Sequence, residues 1–281
     1  MFPWIYEFKW TPTHIIFLML FFSVAMVIAT TLFRALVRSW KDFLNHRDQE
    51  VLWESAFEEI PDSSKQCRHA LAGEVAARIC QHGFDCRECE KHPEFLALEA
   101  EQNTVPTLVH GETEYIQGFS VPLDRYYHRG HTWARPEEDG SITIGLDDFA
   151  QRVVGIPDAV ELPERGTMLR VNGTAWMAKK RKTNVRILSP VEGEVVETGN
   201  EDGKPFLRIK PVAKENAFTH LLRGSELRAW YLKELERLQV ALRSEAVGVS
   251  LADGGTPVDD MPREYPEADW DAVWGEVFLE P

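Results

Sequence analysis

The chain has 281 residues, 44% of them hydrophobic and 27% charged, enough apolar material for one or two folded domains with appendages. Its formal net charge of −14 excludes a nucleic-acid-binding surface, which needs clustered cations against phosphate. The charge is uneven: residues 252–281 carry nine acids against a single base, Arg263, so more than half of the net charge lies at the C-terminal end.

A short flank (residues 1–13) precedes a run, residues 14–33, without Asp, Glu, Lys or Arg. At 1.5 Å per residue this run is about 30 Å long, the thickness of a hydrocarbon core. A cleaved signal has a shorter apolar stretch of about 7–15 residues after a basic start. Here Glu7 offsets Lys9 in the flank. The reading is a retained transmembrane helix over residues 14–36. Arg34, Arg38, Lys41 and Arg47 follow it. Basic flanks stay cytoplasmic, so a single-pass protein of the cell membrane is expected, its soluble part facing the cytoplasm. Trp4, Tyr6 and Trp10 would sit at the opposite interface, and residues 37–66 read as a juxtamembrane helical linker.

All four cysteines, Cys67, Cys80, Cys86 and Cys89, fall in a Cys/His-rich module over residues 67–100. In a reducing compartment such clustering points to metal or redox chemistry, not to disulfides. The C-x2-C pair Cys86–Cys89 puts two thiolates on one tight turn, and Cys67 with Cys80 would complete a four-sulfur shell for zinc or an iron–sulfur cluster. Unmodified thiols and a redox-active Cys86–Cys89 pair are the alternatives. His69, His82 and His92, interleaved with the cysteines, are expected to face solvent. Residues 71–80 read as a helix that ends at Cys80.

Short β-strands follow. Ile142 and Ile144 alternate with Ser141, Thr143 and Gly145 after an Asp139-Gly140 turn, a hairpin signature. Residues 147–154 read as an amphipathic helix capped by Asp147. Pro163 and Gly166 mark the next turn. A hairpin bearing Lys179, Lys180, Arg181 and Lys182 leads to further strands around Val185, Ile187 and residues 191–196, then 205–210. Residues 225–243 form a helix with Leu227, Trp230, Tyr231, Leu235 and Leu238 at helical spacing.

The last stretch, residues 246–281, is a linker rich in Gly, Pro and Asp and then an acidic segment with Trp270, Trp274 and Phe278 at i, i+4, i+8. Such a stripe either docks a partner protein or packs back on its own domain. The acids could also fold over the tip at residues 179–182.

In order, His131-Thr132-Trp133, Ile142-Thr143-Ile144-Gly145, Leu146-Asp147-Asp148-Phe149-Ala150-Gln151, Val160-Glu161-Leu162-Pro163, Gly166, the lysine hairpin and Ser189-Pro190-Val191-Glu192-Gly193-Glu194-Val195 resemble the glycine cleavage system H protein, a small lipoyl-carrier family. The resemblance covers about seventy-five residues well and implies an H-like domain over residues 115–245. The implied fold is mainly β with α: a barrel-sandwich hybrid of short antiparallel strands with flanking helices, here preceded by one transmembrane helix. A similar cysteine-rich preface precedes H-like domains in some bacterial proteins. Anchored on Ser189-Pro190, the family's lipoyl-lysine position falls on Lys182. Two departures stand out. Lys179 occupies the position of an acid three before that lysine, and Thr132 replaces the Glu after His131.

No nucleophile–base pair, phosphate-binding glycine loop or catalytic pair of acids is apparent, so the protein reads as a non-enzyme. The leading expectation is a membrane-anchored scaffold or electron-transfer accessory with a metal or iron–sulfur site. Its protein partners would bind the H-like domain and the acidic aromatic C-terminal segment. The alternative is a lipoyl carrier with lipoate on Lys182, shuttling a group such as aminomethyl between partner enzymes.

Overall fold

A computed structural model describes residues 10–44, 47–101, 108–201, 204–213, 216–242 and 257–280. Trp4 and Tyr6, named as interfacial anchors, and residues 246–256 of the acidic linker lie outside them. The chain divides into two compact units, Met1–Val51 and Leu52–Pro281.

The first unit is built on α1 (Pro12–Leu44). Over Pro12–Trp40 it has a mean hydropathy of 2.6 in its most apolar window and none of that window is buried. Phe17, Leu20, Val24, Val27 and Phe33 are exposed around the helix. By length and composition alone it is able to cross a membrane.

In chain order, α2 (Arg47–Glu59) is followed by one turn of α3 (Arg68–Leu71), a 3-10 turn over Cys86–Glu88, and α4 (His92–Glu101). Strands β1 (Thr113–Ile116) and β2 (Phe119–Pro122) form a hairpin. Then come β3 (Tyr126–Tyr127), β4 (Thr132–Pro136), β5 (Ile142–Leu146), α5 (Asp148–Val154), β6 (Ala159–Glu161), β7 (Met168–Leu169), β8 (Thr174–Lys180), β9 (Thr183–Leu188), β10 (Gly193–Glu201) and β11 (Lys204–Pro211). Helices α6 (Ser225–Leu242), α7 (Met261–Glu264) and α8 (Trp270–Val277) complete the chain. A six-stranded sheet has the order β3-β4-β5-β11-β10-β7, and a three-stranded sheet has the order β6-β8-β9. The pairings are antiparallel. The fold is therefore the mainly β arrangement with flanking helices that the sequence predicts.

One apolar core joins the sheets and helices. Ile144 and Leu207 of the larger sheet meet Trp176 and Ile187 of the smaller one, together with Phe149, Trp230, Leu238 and Trp274 from α5, α6 and α8. Each such buried side chain contributes about 1.5–3 kcal/mol. Helix α5 begins where expected. The Asp147 carboxylate accepts the Ala150 N–H at 2.8 Å, satisfying a first-turn donor. It stops at Gly155, whose φ of +66 a side chain tolerates poorly and whose surroundings leave no room for a Cβ beside Asp260.

The helix expected over residues 71–80 is not there. The helix ends after Leu71, Gly73 turns the chain at φ +81, and Ile79 pairs with Gln66 in an antiparallel bridge. A glycine in the left-handed region ends a helix whatever apolar periodicity follows it.

Candidate functional site

Strands β8 and β9 pair Lys179 with Asn184 and Lys180 with Thr183, which leaves Arg181 and Lys182 as a two-residue turn. Arg181 takes φ +56, and the Asp158 carboxylate holds it there by accepting its N–H at 2.7 Å. The C-terminal segment braces the same tip. Lys180 Nζ lies 3.1 Å from Asp260 Oδ2 and donates to the Ile156 carbonyl at 2.5 Å. Arg181 donates to the Pro262 carbonyl at 2.7 Å, and Thr183 donates to the Asp271 carboxylate. Lys182 is exposed and makes no hydrogen bond or ion pair among the described residues. The acids thus meet the basic hairpin within one chain, and they take up Lys180 and Arg181 while leaving the Lys182 amine in solvent.

The C-terminal stripe packs inward. Trp270, Trp274 and Phe278 are buried, and Trp274 Nε1 donates to the Val153 carbonyl at 3.0 Å. The expectation that this aromatic face docks a partner is overturned. Its apolar surface is already covered by the domain's own core, which leaves nothing for a partner to bury.

Behind the hairpin domain's surface lies a buried charged network. His131, at φ +59, is stacked between Phe149 and Trp230, with ring centroids 4.4 and 4.7 Å away. Its Nδ1 is 2.8 Å from Asp147 Oδ2, which also accepts the Tyr231 hydroxyl at 2.9 Å, and its Nε2 lies 3.8 Å from Glu234. Burial alone would depress its basicity, but the Asp147 and Glu234 carboxylates more than offset that and raise its pKa to about 9. His131 is therefore a buried cation that ties α5 to α6. His128 is its opposite. Burial pushes it down to about 3, and it is neutral between Asn172 Oδ1 (2.8 Å) and the Gly130 N–H (3.0 Å).

The four cysteines come together. The Gln66–Ile79 bridge sets Cys67 and Cys80 on adjacent extended segments, with the Cys67 N–H on the Arg78 carbonyl and the Cys80 N–H on the Lys65 carbonyl, both at 2.7 Å. Cys86 and Cys89 flank the 3-10 turn, and all four thiols line one cavity of about 450 Å³. They are free thiols. Among the described residues no group of three or more His, Cys, Asp or Glu side chains is placed to hold a single metal ion, so the expected zinc on Cys67, Cys80, Cys86 and Cys89 finds no support in this arrangement. Burial pushes the Cys86 thiol up to about 12, which speaks against a reactive thiolate pair at Cys86–Cys89. His69 and His92 do not face solvent as expected. They are buried against each other, Nε2 to Nδ1 at 2.9 Å, because Phe95 and Arg68 close over them.

Sequence reading located Lys182, the Asp147 cap and the cysteine cluster. It missed the His131 network and the Asp158 brace. The signal for the first was present: His131 and Asp147 lie at matching ends of β4 and β5, and Trp230-Tyr231-Glu234 repeat along one helical face.

A family model described as Glycine cleavage H-protein matches residues 125–205. The glycine cleavage system H protein 2 of Pseudomonas syringae pv. tomato is 33% identical over 115 residues, covering 37% of this chain and 90% of that protein. The glycine cleavage system H protein of Oceanobacillus iheyensis is 36% identical over 129 residues, covering 45% and 96% respectively. A crystal structure of a glycine cleavage system H protein from Mycobacterium marinum aligns at 23% identity over 37% of this chain and 92% of its own, with a TM-score of 0.31.

Proposed function

Because the chain belongs to the glycine cleavage H-protein family, we propose that it is a lipoyl carrier, not a catalyst, with lipoate in amide linkage on Lys182. The observation that carries this reading is the open Lys182 amine within a braced two-residue turn. A carrier needs a primary amine that is exposed for attachment and fixed at its base, and Lys182 meets both demands. The lipoyl disulfide, once attached, would supply a sulfur that takes up a group from one partner enzyme as the S–S bond opens to leave the second sulfur as a thiol, and that yields the group to another enzyme. The protein's own part is mechanical and electrostatic. Strands β8 and β9 hold the amine out, Asp260 and the Ile156 carbonyl occupy Lys180, and Asp158 fixes the backbone at Arg181. Lys179 stands where the family pattern has an acid, and that departure favours a second reading, an unmodified scaffold with a basic tip. Three carboxylates nearby, Asp158, Asp260 and Asp271, temper it by bringing negative charge to the same turn.

The protein isolated from its own host is expected to carry a lipoyl adduct on the peptide containing Lys182. A Lys182→Arg variant should lose the adduct completely while keeping its circular dichroism and unfolding midpoint. Peptide mapping that finds the amine unmodified in cells with lipoylated proteins would favour the scaffold.

The same proposal places the carrier at a membrane. Helix α1 is apolar on every side, and Arg34 and Arg38 at its C-terminal half favour a cytoplasmic carrier domain. The full chain is expected in the detergent-extractable membrane fraction, and removal of residues 12–40 should move it to the soluble fraction. Equal partitioning of the two forms would sink the anchor.

A further inference from the structure

We propose that the cavity between α3, the 3-10 turn and α4 is the seat of an iron–sulfur cluster ligated by Cys67, Cys80, Cys86 and Cys89. This goes beyond the carrier reading and does not depend on it. The four thiols are the chain's entire complement of cysteine, and they reach one cavity from two separate pieces of backbone. The Gln66–Ile79 bridge supplies one pair and the Cys86–Cys89 turn the other. Two pairs of thiols on separate pieces of backbone around one cavity of about 450 Å³ suit a cage, whose ligands need not meet at a single ion. In a cluster the thiolates bind different iron atoms, and inorganic sulfide fills the space between.

Charge supports the same occupant. A cluster with four thiolates is an anion, and guanidinium groups lie at the cavity or close to its cysteines. Arg78 lines it and donates to Cys89 Sγ at 3.7 Å, a contact of the kind that tunes cluster sulfurs. Arg129 is buried and interacts electrostatically with Cys67, Cys80 and Cys86, while its Nη2 donates to the Gln66 carbonyl at 2.7 Å. Arg68, next to Cys67, is held by Glu226 of α6.

The cavity wall is also constrained. Gly83 and Phe84, just before the Cys86 turn, both take positive φ, +55 and +61. Phe84 has a side chain and still adopts this conformation, which L residues rarely take. It is buried beneath the Arg129 guanidinium, 4.9 Å from its ring centroid, and Asn172 donates to the Gly83 carbonyl at 2.9 Å. The loop that aims Cys86 and Cys89 is thus held in shape by the carrier domain itself. Ligation releases the four thiol protons to solvent as four Cys–iron bonds replace four S–H bonds, and with two ferric ions and two sulfides as the inorganic part the assembly needs no change of oxidation state.

The test uses the full chain in detergent, supplied anaerobically with ferric iron and sulfide and then desalted. Iron and acid-labile sulfide should be retained in equal numbers, with visible absorption and an iron-nucleus Mössbauer spectrum typical of a cluster. All four cysteines should become protected from alkylation together. In a Cys86→Ser/Cys89→Ser variant the bound iron and the protection of Cys67 and Cys80 should fall to background. The alkylation readout on the wild type stands even if that variant does not fold. Retention of zinc in preference to iron, iron without sulfide, or four thiols that stay open to alkylation after reconstitution would each overturn the proposal.

Discussion

Replacing Asp147 by asparagine is expected to destabilise the carrier domain by about 3–5 kcal/mol, the cost of breaking a buried ion pair from one side. The residue's three contacts explain the size of the effect. Its Oδ1 caps α5, and its Oδ2 accepts from both His131 and Tyr231. Asparagine keeps a capping oxygen but removes the charge that balances the His131 cation, which is then left with Glu234 at 3.8 Å. Urea unfolding followed by tryptophan fluorescence measures the loss directly, since Trp230 stacks on His131. A destabilisation below about 1 kcal/mol would mean the network is not ionised.

The same pair sets a pH dependence. His131 is held at about 9 in the folded chain against about 6.5 unfolded. A raised value means that its stabilisation is complete below about pH 6.5 and is lost as pH rises through about 9, roughly 3 kcal/mol in all. His128 and His220, pushed down to about 3 and about 4 by burial, act on the other side. They are neutral in the fold, so stability falls as pH drops below about 6.5 and the unfolded chain takes up their protons. Stability should therefore peak between these two limbs. In Asp147→Asn the alkaline limb should flatten and the acid limb should persist. An unchanged alkaline limb would assign it to other groups.

Trp274→Ala is the second large effect, about 3–5 kcal/mol for an indole removed from a full core. Trp274 is 2% exposed and hydrogen-bonded to α5. Its loss should release α7 and α8, and with them the carboxylates of Asp260 and Asp271 that brace the hairpin. Limited proteolysis should then cut within residues 257–280 well before the β core. Arg181 and Lys180 amide protons should exchange faster. Slow, wild-type cleavage there would show that the segment is held by its ion pairs alone.

What the sequence reveals depends on how far apart the interacting groups lie. The Asp147 cap is legible because acceptor and donor are three residues apart. Lys182 is legible because Ser189-Pro190 fixes the count back to the turn. The stripe of Trp270, Trp274 and Phe278 is visible as periodicity, but its target, the Val153 carbonyl, lies 121 residues away, and no local pattern reports that. The same holds for Lys180 and Asp260, 80 residues apart. Cys80 lies on an extended segment and not at the expected helix end, for a local reason. Apolar spacing suggested a helix, while Gly73 carried the deciding backbone angle. His69 and His92 were expected in water because histidine is often surface-bound, yet tertiary contacts bury both.

The bracing of the β8–β9 turn has a kinetic consequence. A tether sweeps a volume set by every rotatable bond between its last fixed atom and its reactive end. With the arm on Lys182, as proposed, rotation would begin at that side chain, because the turn below it is pinned by Asp158 and its neighbours Lys180 and Arg181 are pinned by Asp260 and Pro262. A looser turn would dilute the reactive end over a larger shell and would surrender more entropy each time that end was captured. On that proposal the acidic C-terminal segment would shorten the search without shortening the arm.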